Sequence, residues 1–120
     1  MLLKVIISGA SSGLGRALAQ HYAEMGATLG LIARRRDLLE VLAEELPCTS
    51  VYGADVRDAG AMRAAAQDFM HRYGCPDIVI ANAGISRGTL TAYAEDNEVF
   101  EDILATNVLG MVNLFQPFMA

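Results

Sequence analysis

Apolar residues along this chain change spacing repeatedly, from short unbroken runs to intervals of three and four and back again. Val5-Ile6-Ile7 is a β-branched run without polar interruption, as expected of a strand buried on both faces of a sheet. From Leu14 the apolar positions Ala17, Leu18, Tyr22 and Met25 recur at helical spacing until Gly26, a natural C-terminal stop. Residues 28–33 read as a second strand. Asp37 followed three residues later by Glu40 has the form of a capping box, which predicts a helix over 38–46 ended by Pro47. Residues 50–54 make a third strand. Asp58 is the expected cap of a third helix, whose Met62, Ala65, Ala66, Phe69, Met70 and Tyr73 share one face and which Gly74 closes. Residues 77–81 form a fourth strand, 82–91 a Gly/Ser-rich loop, and a last helical pattern runs from Asn97 through Val108, Met111 and Val112 to Phe115. Strand and helix alternate throughout, so the expected class is α/β, one domain over residues 1–120. Right-handed crossovers arrange the strands as a doubly wound parallel sheet in the order 3-2-1-4, with helices on both faces.

The turn between the first strand and first helix carries the chemistry. Gly9-Ala10-Ser11-Ser12-Gly13-Leu14-Gly15 follows an apolar strand and opens a helix, so backbone N–H groups and the positive helix end converge on one point. Glycines there remove the Cβ atoms that would hold a pyrophosphate away. Glycine spacing alone is weak evidence, but within a βαβ unit it marks a dinucleotide site.

The spacing is GxxxGxG, and Ser8-Gly9-Ala10-Ser11-Ser12-Gly13-Leu14-Gly15 resembles the cofactor turn of the short-chain dehydrogenase/reductase family, with Ser8 where members usually carry Thr. Three further segments match that family in order. Asp55-Val56 resembles its adenine contact, in which the carboxylate accepts from the adenine amino group. Asn82-Ala83-Gly84 resembles its Asn-Ala-Gly signature, whose Asn steadies the sheet and whose small residues admit the cofactor ribose. Asn107, within Thr106-Asn107-Val108-Leu109-Gly110, matches the Asn of the catalytic tetrad, which supports a water relay to the active-site Lys. Singly, Asp55 is equally read as a strand terminator, Asn82 as a turn former and Asn107 as a polar residue tolerated in a helix. Their common register with the glycine turn favours the family reading. The resemblance implies a Rossmann-type fold, a nicotinamide dinucleotide, and hydride transfer between it and a carbonyl or alcohol.

At about twenty residues beyond the glycine turn, an acidic side chain would bind the ribose 2′-hydroxyl of NAD. Here Ala33 occupies that position, followed by Arg34-Arg35-Arg36. A guanidinium binds a 2′-phosphate through parallel charge-assisted hydrogen bonds, so NADP is favoured over NAD. Arg34 is the first choice of ligand, with Arg35 beside it; Ser11 offers a hydroxyl to the same phosphate. Arg36, and to a lesser degree Arg35, also fit a solvated cluster.

The resemblance also implies a general-acid Tyr with Lys three or four residues on. None of Tyr22, Tyr52, Tyr73 and Tyr93 has that partner, and the only Lys is Lys4. Hydride transfer to a carbonyl needs a proton donor. The expectation is therefore the cofactor-binding half of a longer enzyme, inactive alone, whose last helix exposes Val108, Met111, Val112 and Phe115 for self-association. Two alternatives stay open. One is a noncatalytic dinucleotide-binding module that docks through that helix, and the other is a doubly wound domain holding a different phosphate ligand.

Composition narrows the partners. The chain has 120 residues, 53% of them hydrophobic, and a net charge of -5, which argues against nucleic acid or an anionic membrane as partner. Cys48 and Cys75 form neither a CxxC pair nor part of a His-rich cluster, so neither a disulfide framework nor a zinc site is expected. Asp96, Glu98, Glu101 and Asp102 complement a helix start better than they form a metal site. His21 and His71 fall within helices and read as surface residues. No run approaches the ~20 apolar residues of a membrane span, and a cytoplasmic protein is expected.

Overall fold

The computed structural model describes residues 2–84 and 97–119. Residues 85–91 of the loop anticipated after the fourth strand, and Asp96, lie outside the described residues. Four parallel strands form the sheet: β1 (Lys4–Ser8), β2 (Thr28–Ala33), β3 (Thr49–Gly53) and β4 (Ile78–Ile80), in the order β3-β2-β1-β4. This is the order that right-handed crossovers predict. Register runs Val5 to Leu29 and Ile78, and Leu31 to Val51.

Helices cover both faces. α1 (Gly13–Glu24) and α2 (Arg36–Ala43) close one face, where Val5, Ile7, Leu29 and Leu31 pack with Ala19, Leu39 and Leu42. α3 (Ala59–Tyr73) and the C-terminal helices close the other, where Ile6 and Ile32 meet Met62, Phe69 and Leu114. Alternate residues of β1 therefore face different cores, which explains why a parallel strand must be apolar at every position. Val5, Ile6 and Ile7 are at most 2% exposed, and each such side chain contributes about 1.5–3 kcal/mol relative to an exposed one. Gly30 makes room for the Phe69 ring: a Cβ there would lie 2.8 Å from Phe69 Cδ2.

The predicted elements recur with two differences. The capping-box reading of Asp37 does not hold. Arg35 is the N-cap of α2, and Asp37 lies inside its first turn, where the Arg35 guanidinium holds both carboxylate oxygens, at 3.0 and 2.7 Å. The Arg35 guanidinium thus competes with the helix amides for this carboxylate. α2 also ends at Ala43, short of the anticipated 46, and Cys48 takes a left-handed φ of 49° as the chain enters β3. Asp58, by contrast, caps α3 as expected, accepting from the Ala61 amide at 3.0 Å.

The last helix is not uniform. α4 (Asn97–Leu104) passes into a π-helical stretch, Ala105–Leu109, before α5 (Gly110–Phe115) and a 3-10 turn, Gln116–Phe118. Val108, Met111 and Val112 are exposed as anticipated, but Phe115 is not: it packs against the cluster of Ile6 and Phe69. No helix among the described residues is long and apolar enough to cross a membrane.

Candidate dinucleotide site

β1 continues the sheet towards β2 on one side and β4 on the other, so the chain's connections diverge at the C-terminal end of β1. In open α/β sheets, such a switch point leaves a crevice. A groove of about 300 Å³ opens there, at the lower end of the usual range of roughly 300–1,000 Å³ for small-ligand sites.

The glycine turn forms one wall. Gly9 and Gly13 adopt φ values of +64° and +56°, a left-handed conformation that L side chains rarely take. The three glycines differ in what surrounds them. A Cβ on Gly9 would meet the Ala83 backbone at 2.9 Å, and Gly15 lies against the Gly9 carbonyl and Asn82 Nδ2. Gly13 faces open space, with no atom within 4 Å of its Cβ position. Gly9 and Gly15 are thus packing requirements, whereas Gly13 leaves the approach to the helix start clear. Ser12 caps α1 with extended backbone and makes no side-chain cap bond, and the first turn holds no acidic residue. The amides at the α1 start therefore remain available to an anion.

Ser8 ties this turn to the neighbouring strand. Its hydroxyl is 1% exposed and accepts from the amides of Asn82 and Ala83, each at 3.0 Å, while donating to the Ile80 carbonyl at 3.5 Å. Asn82 returns the contact: its Nδ2 donates to the Gly9 carbonyl at 3.1 Å. Ser8 and Asn82 so lock the ends of β1 and β4 at one height, and the groove floor consists of Asn82, Ala83 and Gly84.

Beyond β3, the Asp55 carboxylate lines the groove and accepts from the Arg57 amide at 2.9 Å through Oδ1. That local turn fixes the carboxylate, and Oδ2 accepts no hydrogen bond among the described residues. Val56 is buried beneath it, gripped by the C-terminal helices: Asn113 Nδ2 donates to its carbonyl at 2.9 Å, and a Cβ on Gly110 would approach its Cγ2 to 2.6 Å. An Arg57–Asp102 ion pair of 3.3 Å adds a surface tie between the same loop and α4.

At the end of β2 the groove is lined by Ile32, Ala33, Arg34 and Arg35. The three arginines are in different states. Arg35 pairs with Asp37 at 2.7 Å and Arg36 with Glu40 at 3.0 Å, whereas Arg34 has no ion-pair partner among the described residues. The hydrogen bond and charge of Arg35 hold the Asp37 carboxyl below the usual carboxylate range.

Of the residues singled out from the sequence, Gly9, Ser11, Ser12, Arg34, Arg35, Asp55, Val56, Asn82, Ala83 and Gly84 all line this one groove. Ser8 and Gly15 lie beneath it as buried supports. Gly13 is exposed at the helix start, and Leu14, 66% exposed, stands outside the groove lining. Asn107 sits in the π-helical stretch beside Gly84, where a Cβ would be 3.2 Å from its Oδ1. Sequence reasoning missed Thr106, a buried groove residue from the same stretch, and the supporting pair Asn113 and Gly110. Buried helix positions bearing Asn or Gly inside an otherwise apolar pattern were the available signal.

The arrangement suits a dinucleotide: an open helix N-terminus for pyrophosphate, a carboxylate facing the far end, and at the end of β2 a guanidinium without an ion-pair partner among the described residues. The model of the short chain dehydrogenase family matches residues 3–120. The chain belongs to the short-chain dehydrogenase family. Within it, the chain is 33% identical over 117 residues to the NADPH-dependent pterin aldehyde reductase of Arabidopsis thaliana, covering 95% of this chain and 48% of that protein. Among solved structures, an alcohol dehydrogenase from Thermococcus sibiricus complexed with 5-hydroxy-NADP superposes with a TM-score of 0.92 at 30% identity, over 99% of this chain and 52% of that one. A 3-ketoacyl-(acyl-carrier-protein) reductase from Brucella melitensis complexed with NADH gives a TM-score of 0.90 at 27% identity, over 98% and 48%. This short-chain dehydrogenase chain spans about half the length of the relatives it matches.

Proposed function

We propose that this chain is the cofactor-binding half of an NADP-dependent oxidoreductase that moves a hydride between NADP(H) and a carbonyl or alcohol substrate. The observation that carries the reading is Arg34, which lines the groove at the end of β2 without an ion-pair partner among the described residues, where no acidic side chain precedes it. Family membership alone does not select the phosphate, since the similar reductases include one solved with NADH. When bound, NADP(H) supplies or accepts the hydride. The chain's own residues would hold it. The amides of residues 9–15, with Ser12, take the pyrophosphate side; Arg34 and Arg35, with the Ser11 hydroxyl, face the 2′-phosphate; Asp55 Oδ2 accepts from the adenine amino group over Val56; and Asn82, Ala83 and Gly84 admit the ribose. Asn107 is assigned to support a water relay, and the general acid to a part of the enzyme beyond this chain. On this reading residues 1–120 are one partial Rossmann-type domain, cytoplasmic, inactive alone, and paired with another copy through the last helix.

Titration with NADPH, NADH and FAD, followed by cofactor fluorescence or calorimetry, tests the cofactor. Tighter binding of NADPH than NADH, lost in Arg34→Ala, is expected; equal or absent binding of the two overturns the assignment. A second reading, a noncatalytic dinucleotide module, draws on the exposed stripe of Leu104, Val108, Leu109 and Val112 as a docking face. A Tyr-xxx-Lys pair encoded directly downstream favours the enzyme.

A further inference from the structure

Arg34 and Arg35 are neighbours in sequence and both line the groove, yet only one is ready to receive a phosphate. The Arg35 guanidinium has five N–H donors, and Asp37 takes the pair best suited to a second bidentate contact: Nε to Oδ1 at 3.0 Å and Nη2 to Oδ2 at 2.7 Å. The end-on edge that remains belongs to an ion pair with no net charge. Backbone geometry keeps the pair together. Arg35 is the N-cap of α2, with φ −93° and ψ 90°, and Asp37 stands in the first turn, where the positive helix end also favours a carboxylate. Arg36 is engaged through a single bond, Nε to Glu40 Oε1 at 3.0 Å. Of three consecutive cations, the helix that follows has engaged two.

We propose that Asp37 is a specificity-determining residue: by holding Arg35 in a bidentate pair it withholds one of the two groove-lining arginines, and so limits the preference of the site for a 2′-phosphorylated dinucleotide. This rests on the NADP reading above and extends it, because it assigns the selectivity to the state of Arg35 and not to the number of arginines. Both partners are largely exposed, with side-chain exposures of 66% and 63%, so the pair is weak enough for one substitution to release the guanidinium. A freed Arg35 would add charge-assisted contacts to the phosphate that NADH lacks.

The test measures the dissociation constants of NADPH and NADH for wild type, Asp37→Ala, Asp37→Asn, Arg34→Ala and the double variant Asp37→Ala/Arg35→Ala, at low and high salt. Asp37→Ala and Asp37→Asn are each expected to raise the NADPH preference by about threefold to tenfold at low salt, mostly through NADPH, with the gain shrinking at high salt. The double variant should lose that gain, because the effect acts through Arg35. An unchanged ratio in both single variants overturns the inference. So does a gain that survives in the double variant, since removal of the Asp37 charge alone would then explain it. If wild type shows no preference for NADPH, or Arg34→Ala leaves the ratio as it was, the NADP reading itself fails and this inference falls with it.

Discussion

Ser8→Ala tests the strand-to-strand lock under the groove most directly, because it deletes a single oxygen. That oxygen accepts from two backbone amides, Asn82 and Ala83, both at 3.0 Å, and Ser8 is 1% exposed, so solvent has no ready path to the vacated position. A buried donor left without its acceptor costs about 1–3 kcal/mol. Two amides sharing one acceptor bring the sum to about 2–4 kcal/mol, a large part of the roughly 5–15 kcal/mol that holds such a domain together. Ser8→Thr keeps the oxygen and adds a β-branch that strands favour, so it should stay within about 1 kcal/mol of wild type. Urea unfolding followed by far-UV circular dichroism reads both. With a slope of roughly 2 kcal/mol per molar urea, the Ala variant should shift the midpoint down by about 1–2 M while the Thr variant barely moves. An Ala variant within about 0.5 kcal/mol of wild type would refute the reasoning, since the two amides would then have other partners or tolerate having none.

The glycine turn separates two substitutions that look alike on paper. Gly15→Ala drives a Cβ into the Gly9 carbonyl and should unfold the turn, lowering both thermal stability and dinucleotide binding, whereas Gly13→Ala meets no atom within 4 Å and should cost only the roughly 1–2 kcal/mol of a left-handed backbone while still weakening dinucleotide binding. Asn113→Ala strands the Val56 carbonyl and should destabilise by about 1–3 kcal/mol in the same urea assay. Tyr52 donates to Asp68 at 2.7 Å, and that hydrogen bond, with the nearby Arg72, holds the Asp68 carboxyl below its ordinary range. A depressed carboxylate stabilises the fold above its unfolded value of about 4 and loses that contribution as pH falls through the folded value. Tyr52→Phe should therefore flatten the loss of unfolding free energy between about pH 5 and pH 2, and an unaltered acid limb would contradict the coupling. Val108→Glu, on the exposed stripe, should lower the mass seen by sedimentation if that face pairs two copies.

The strands and their order were readable because a parallel sheet imposes an unusual demand, apolar residues at every position, that few other structures share. Val5-Ile6-Ile7 meets it, and its residues do divide between two cores. The misplaced start of α2 has a particular cause. Asp37 and Glu40 have the spacing of a capping box, but that pattern assumes an uncommitted carboxylate, and a competing cation two residues before it decides the outcome. The interruption of the last helix at Ala105–Leu109 escaped for the opposite reason. A π-helical stretch of five residues slips the helical phase by only about one residue, too little to stand out from the ordinary scatter of apolar spacing.

The groove itself was legible to the extent that its residues lie at strand ends. Gly9, Arg34, Asp55 and Asn82 each follow one of the four strands, and a parallel sheet brings all four such ends to one edge whatever the side chains do. What the linear sequence could not display is the layer that holds them there. Asn113 lies 57 residues from the Val56 carbonyl it binds, and Ser8 reaches amides 74 and 75 residues away. Such contacts depend on crossover geometry and not on local pattern. The same reasoning applies to the arginines: among the described residues, two of three identical letters become engaged guanidinium groups and one has no ion-pair partner, only once α2 has fixed where Asp37 and Glu40 stand. On the proposed reading, cofactor preference in this groove depends on the first turn of α2 as well as on the residues at the strand end, and substitutions at Asp37 are where that division can be measured.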